Sequence, residues 1–296
     1  MFELIEASAA QLEAAGLTFE NGFGQGTTNA FDEAAWLVLW QLGLPLDDLD
    51  SVSNRLVAQA ERAQVATLLG ARISTRRPAA YLTHEAWLMG VSFYVDERVI
   101  IPRSFIAELL VDESIDPWLG EDTRRVLDLC TGNGSLAVLA AMTYPDVLVD
   151  AADISLEALA VARINVNKHT LDSRITLIES DGLAACHGLT NGGYDLILCN
   201  PPYVNAASMA ALPAEFKAEP ALALAGNMSG GSDGMDFIRS LFLTVAAHMS
   251  ENAVLVLEIG NERDNFEHAF PHLGPLWFET SAGSDQVMLI TREQLV

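Results

Sequence analysis

Asn200-Pro201-Pro202-Tyr203 ends the apolar run Asp195–Cys199 and gathers the groups needed to hold a planar –NH2. Two successive prolines stop a strand, fix φ and carry no N–H. Their carbonyls are therefore acceptors without competing donors beside them. The Asn200 side-chain oxygen adds an acceptor, and Tyr203 adds a flat wall. The Asn200 side-chain oxygen and the Pro201 main-chain oxygen can each take one N–H of an amino group. That grip fixes the nitrogen in line with an electrophile and stabilises the positive charge developing on it. An amide nitrogen needs such help, because its lone pair is delocalised into the carbonyl. No strong base is required first, since the alkylated nitrogen becomes acidic and loses its proton afterwards. Asn200, Pro201 and Tyr203 are the candidate catalytic residues, and Asn200 to Tyr203 the candidate substrate-binding residues.

The electrophile comes from a second motif, Val126-Leu127-Asp128-Leu129-Cys130-Thr131-Gly132-Asn133-Gly134-Ser135-Leu136-Ala137. An apolar strand enters a glycine-rich turn and then a helix, the usual ligand end of an open α/β sheet. Gly132, Gly134 and Ala137 also satisfy a dinucleotide fingerprint, so the turn alone does not select a cofactor. Asp153 closes the next strand and suits ribose hydroxyls in either case. Asp128 discriminates: an acid just before the turn suits a cationic amino group and sits badly beside a pyrophosphate. The reading is S-adenosylmethionine, with Asp181 after the third strand as an acceptor for the adenine amino group. A nicotinamide oxidoreductase is the competing reading, and it leaves Asn200 to Tyr203 unexplained. Adenine-N6 methylation of nucleic acid also remains open, because the same acceptors suit an adenine amino group.

These motifs need a sheet to carry them. From Arg124 onward, strands are expected at Val126–Cys130, Val147–Asp153, Ile175–Glu179, Tyr194–Asn200, Ala253–Ile259, Trp277–Thr280 and Gln286–Thr291. Helical stretches follow the first five: Leu136–Thr143, Leu156–His169, a short one near Leu183, one over Phe237–His248 and one near Phe266. Such alternation predicts an α/β fold, a seven-stranded, mostly parallel sheet with helices on both faces and an antiparallel edge hairpin. Residues 1–77 read as a small helical N-terminal domain that selects substrate. It contains a helix over Asn29–Leu42 and a longer one, or two short ones, over Ser51–Ile73. Residues 78–118 read as a β-hairpin connector about Gly90 followed by a helix from Ser104. Residues 119–296 form the Rossmann-like domain. Gly226 to Ser232 reads as a mobile loop.

The 296 residues are half hydrophobic, ample for a core, and carry a net charge of −24 from 40 acidic and 16 basic side chains. That balance repels phosphate backbones, so free nucleic acid is not the expected partner, whereas a basic protein is attracted. A non-enzymatic factor that binds a basic ribosomal protein is a further reading. Three cysteines without a C-x-x-C pair, an acidic N-terminus and the lack of a long apolar run predict a reducing, cytoplasmic setting without a membrane span. Cys199 reads as a buried, inert thiol, and Pro271 interrupts the His268/His272 pair, so no metal is expected. Glu258 ends the fifth strand, facing the site or capping a loop. Oligomeric state is not readable.

Several separated segments resemble the bacterial class I protein-glutamine methyltransferases of the HemK-like group. They are Arg77 to Thr83, Ile100 to Ser104, Asp128 to Gly134, Asn200 to Tyr203, and Glu219-Pro220 followed by Ala223 to Ala225. The resemblance covers nearly the whole chain. It implies that Cys130, Thr131, Gly132, Asn133, Gly134, Asp153, Asp181 and Asn200 line the S-adenosyl-L-methionine site. It further implies that Asn200 to Tyr203 bind a glutamine amide. One branch modifies peptide-chain release factors, the other the third large-subunit ribosomal protein. Ser104 after Pro102-Arg103, Cys130 in place of a usual glycine, Asp233-Gly234, and Thr291 to Leu295 resemble the ribosomal branch.

Overall fold

The computed structural model describes residues 1–19, 21–227 and 229–296, so Met228 of the Gly226–Ser232 loop lies outside the described residues. The chain forms two compact units. The first contains Met1–Ala86, Val95–Glu97 and Leu212–Glu219; the second contains the remainder. The hairpin connector read from sequence is thus shared between them. No helix among the described residues is long and apolar enough to cross a membrane.

In the first unit, helices Phe2–Ala14, Ala30–Gln41 and Gln59–Thr75 bury Ile5, Leu12, Leu37, Val38, Val65 and Leu69 against one another. Asn29 accepts the Asp32 N–H at 2.9 Å and so caps the second helix. The long helical pattern expected over Ser51–Ile73 is two helices, Leu49–Val52 and Gln59–Thr75. Glu61 Oε2 accepts the Ala58 N–H at 2.8 Å, which starts the second helix afresh. A short helix, Ala79–Thr83, begins after Pro78, where the sequence showed no helical period. Arg72 is fully buried at the centre of this unit. Its Nε meets Glu33 at 2.8 Å, its Nη1 meets Glu215 at 3.0 Å, and its Nη2 donates to the Gly22 carbonyl at 2.6 Å. Arg76 Nε adds a second cation to Glu215 at 2.6 Å. Burial pushes the Glu33 carboxyl up, against the opposing pull of Arg72.

The second unit opens with the hairpin β1 (Ala86–Leu88, whose first residue groups with the first unit) and β2 (Val91–Phe93). Seven strands follow: β3 (Arg125–Leu129), β4 (Leu148–Asp153), β5 (Ile175–Glu179), β6 (Tyr194–Cys199), β7 (Met249–Glu258), β8 (Leu276–Trp277) and β9 (Val287–Thr291). Their order is β5-β4-β3-β6-β7-β9-β8, with β5 through β7 parallel and β9 antiparallel to both neighbours. Alternate side chains of the central strands enter two cores. Val126, Leu196, Leu198 and Val256 pack under the helix Ser135–Thr143; Leu127, Leu129, Ile197 and Leu257 pack with Ile238, Val245 and Phe266. Both faces are covered, so these strands read as unbroken apolar runs.

Three local expectations need correction. The strand expected over Trp277–Thr280 stops at Trp277, because Thr280 and Gly283 exchange N–H···O bonds in a tight turn. The helix expected over Phe237–His248 is two, Asp236–Phe242 and Val245–His248. Near Leu183 the chain turns, and only a 3-10 turn at His187–Leu189 follows.

Removing Arg72 leaves Glu33 and Glu215 buried near one another without their shared cation. Arg72→Met is expected to cost about 3–5 kcal/mol, read from denaturant unfolding of the full chain. A loss below about 1 kcal/mol, the range of exposed pairs, would show that the triad does not hold this unit together.

Candidate active site

Strand order reverses between β3 and β6: the chain winds outward through β4 and β5 on one side and through β7 on the other. Diverging loops at such a switch point leave a crevice at the carboxyl ends of the strands. The cleft found there encloses about 1090 Å³, open mouth included, and lies wholly in the second unit. Its wall takes Cys130, Thr131, Gly132 and Asn133 from the turn after β3, Asp153 from β4, Asp181 after β5, and Asn200 and Pro202 after β6. Pro102, Arg103 and Ser104 contribute another side, with Pro220, Leu222 and Phe237.

The turn after β3 is built by carboxylates. Asp128 is buried, and its Oδ2 accepts the Thr131 hydroxyl at 2.5 Å and the Ala137 N–H at 2.9 Å. The second bond satisfies one of the free donors at the start of the helix Ser135–Thr143. Asp128 therefore stands behind the wall rather than on it, and its Oδ1 is buried without a partner among the described residues. Burial pushes its carboxyl up to about 7, against the two donors. Asp153 Oδ2 accepts the Gly132 N–H and Oδ1 the Ser155 N–H, both at 2.9 Å. Burial raises the Asp153 carboxyl as well. Ser155 caps the next helix through the Ala158 N–H at 3.2 Å.

Cys130 holds φ +62°. A side chain in that left-handed conformation costs on the order of 1 kcal/mol or more, and glycine is the usual occupant. Its thiol is pushed well up by the neighbouring Cys199 thiol and by burial. Gly134 is off the wall too; a Cβ there would lie 3.2 Å from the Ala162 Cβ, so its role is close packing of helix on turn. Asn133 Oδ1 accepts the Ser135 N–H at 3.2 Å, while its Nδ2 is buried without a partner among the described residues.

On the β6 side, Pro201 is buried and Tyr203 half-buried, and neither joins Asn200 and Pro202 on the cleft wall. Val204 donates to Leu224 O at 2.9 Å, and Gly226 donates back to Val204 O at 3.0 Å. The excursion through residues 205–224 thus leaves and returns at one point. The four-residue motif is held at its exit as well as at its strand.

Two further supports stand behind the cleft, of which Asn165 escaped the sequence reading and Glu258 takes the loop-capping alternative of the two the sequence left open. Asn165, fully buried on the helix Leu156–Lys168, donates to Asn133 O at 2.9 Å and Tyr94 O at 3.0 Å, and accepts the Tyr94 N–H at 2.7 Å. It ties the end of the hairpin to the turn after β3. Its signal was a polar residue among the apolar positions of an amphipathic helix. The other is Glu258, which caps a loop of the cleft wall: its Oε2 accepts the Ser104 hydroxyl at 2.6 Å and the Phe105 N–H at 2.9 Å. Those donors delay the helix expected from Ser104, which starts at Ile106. Burial pushes the Glu258 carboxyl up to about 7.

The family model for the methyltransferase small domain matches residues 107–228. The ribosomal protein uL3 glutamine methyltransferase of Bordetella pertussis is 50% identical over 295 residues, covering 99% of this chain and 95% of the relative. The protein of the same name from Neisseria meningitidis serogroup A is 49% identical, covering 93% of this chain and 88% of the relative. Among solved structures, the human Mettl16 catalytic domain in complex with the MAT2A 3′UTR hairpin 6 superposes with a TM-score of 0.52 at 15% identity, covering 79% of this chain and 81% of that one. At that identity the likeness is one of fold.

The two raised carboxyls set a pH dependence. With ordinary values of 3.8 and 4.5, Asp128 and Glu258 keep protons in the folded chain at pH values where the unfolded chain has lost them. Their contribution to stability is full below about pH 4 and is lost as pH rises through about 7. Asp128→Asn has no such proton to lose. Its unfolding free energy is therefore expected to rise relative to the parent between those pH values, measured by denaturant titration. A pH-independent difference would contradict the assignment.

Proposed function

The chain belongs to the ribosomal protein uL3 glutamine methyltransferase family, and on that premise we propose that it methylates the side-chain amide nitrogen of a glutamine in ribosomal protein uL3, with S-adenosyl-L-methionine as donor. The observation that carries this reading is one cleft lined both by the turn after β3 with Asp153 and by Asn200 and Pro202 after β6. Donor-binding and acceptor-gripping groups thus face a common space.

The residues fit the donor. Asp153 and Asp181 line the cleft as acceptors for ribose hydroxyls and an adenine amino group. Asn133 Nδ2, without a partner among the described residues, is a hydrogen-bond donor suited to a carboxylate, and Asp128 Oδ1, likewise without one among them, puts acceptor character beneath the same turn, suited to an ammonium. An amino-acid end needs that pairing, and a pyrophosphate does not. S-adenosyl-L-methionine supplies an electrophilic methyl group on a sulfonium, chemistry that no side chain provides.

The protein's part is positional and electrostatic. Asn200 Oδ1 and the Pro201 carbonyl take the two N–H bonds of the glutamine amide and stabilise the charge that grows on nitrogen. Pro201 and Pro202 have no N–H to compete for those acceptors. Tyr203, which follows Pro202 of the cleft wall, offers a flat ring for the amide plane. The methylated nitrogen then releases its proton to water. The net charge of −24 favours encounter with a basic ribosomal protein over nucleic acid.

Incubation with methyl-labelled cofactor is expected to label purified uL3 and to leave a peptide-chain release factor unlabelled. Asn200→Ala is expected to lower kcat by about 100-fold or more while the unfolding transition stays where it is. Label in the release factor alone would overturn the substrate, and an unchanged kcat would overturn the grip.

A further inference from the structure

The chain beyond β7 reads Glu258-Ile259-Gly260-Asn261-Glu262, and three of these five residues reach different parts of the cleft's surroundings. Register places Leu257 beside Cys199, so this run leaves the sheet alongside Asn200-Pro201-Pro202-Tyr203. Glu258 Oε2 receives the Ser104 hydroxyl and the Phe105 N–H, and the Ile106 N–H at 3.4 Å. Ser104 is on the cleft wall. Gly260 has φ +53°, and a Cβ there would lie 2.7 Å from Tyr203 Cε2, so the aromatic ring rests directly on the glycine. Glu262 is buried; its Oε1 accepts the Asn205 Nδ2–H at 2.6 Å, and its Oε2 the Asn265 Nδ2–H at 2.5 Å. Asn205 Oδ1 in turn accepts the Ser208 N–H at 2.9 Å.

We propose that Glu258 to Glu262 is a positioning segment for methyl transfer, which sets Tyr203 against the target amide through Gly260 and Glu262 and sets the Pro102–Ser104 wall through Glu258. The proposal rests on the methyl-transfer reading for its kinetic consequence and on the hydrogen bonds alone for its structural one. None of the three residues is on the cleft wall. Glu258 acts through Ser104 on the cleft wall, Gly260 through Tyr203 at the end of the Asn200–Tyr203 motif, and Glu262 through Asn205 just after it. A carboxylate at each end of a five-residue run couples two loops that are distant in sequence, so a shift in one is resisted by the strand that carries the other.

The test uses the full chain and the variants Glu262→Ala, Glu262→Gln and Gly260→Ala. Hydrogen–deuterium exchange without ligands is expected to rise over residues 203–208 in Glu262→Ala and to return toward the parent in Glu262→Gln, whose carbonyl still accepts from Asn205. With cofactor and uL3, Glu262→Ala and Gly260→Ala are expected to lower kcat about tenfold or more. The cofactor dissociation constant should stay within about twofold, and Glu262→Gln should recover most of the turnover. Parental exchange in Glu262→Ala, or a kcat loss equal in the Ala and Gln variants, overturns the proposal. If the parent chain itself leaves uL3 unmethylated, the substrate reading fails, while the exchange data still decide whether the segment holds the loop.

Discussion

Carboxylates placed where strands end are the constraint on which the site depends. Asp128, next to the end of β3, accepts the Thr131 hydroxyl and the Ala137 N–H of the helix that follows; Asp153 at the end of β4 and Glu258 at the end of β7 accept backbone N–H groups from the loop that follows or crosses them. A buried carboxylate is costly unless such donors surround it. The loop must therefore fold over the acid, and the acid fixes the loop. Three loops are ordered in this way before any ligand arrives. Preorganised groups are what a reaction driven by position and electrostatics requires, because no reorganisation is left for the transition state.

Much of this was legible in the residues. Asn200-Pro201-Pro202-Tyr203 was legible as the end of an apolar strand, because two prolines stop a strand and carry no N–H. The seven strands were legible because central parallel strands are buried on both faces and read as continuous apolar runs. Asp128 was recognised as special, yet its geometry differs from the simplest expectation. It stands under the turn, held by Thr131 and Ala137, and acts on the cleft through the loop it orders.

What was not legible depended on partners far apart in sequence. Glu258 could be read as facing the site or capping a loop, but nothing local names that loop, 153 residues earlier, or marks Asn165 as the brace between Tyr94 and Asn133. The helical unit offered still less. Its buried Arg72 pairs with Glu33 and with Glu215, and Glu215 belongs to a segment that sequence order assigns to the catalytic part of the chain. A buried ion triad of that kind has no periodic signature. It also means that Leu212–Glu219, inside the excursion that follows Tyr203, groups with the N-terminal residues.

The central claim is that Asn200 and Pro201 grip both N–H bonds of a glutamine amide. A crystal structure of the protein with S-adenosylhomocysteine and a glutamine-containing uL3 segment measures this directly. The account predicts the glutamine nitrogen within hydrogen-bond distance, about 2.7–3.2 Å, of both Asn200 Oδ1 and the Pro201 carbonyl. A glutamine bound elsewhere, or with its nitrogen turned from both acceptors while the cofactor product fills the cleft, would contradict it.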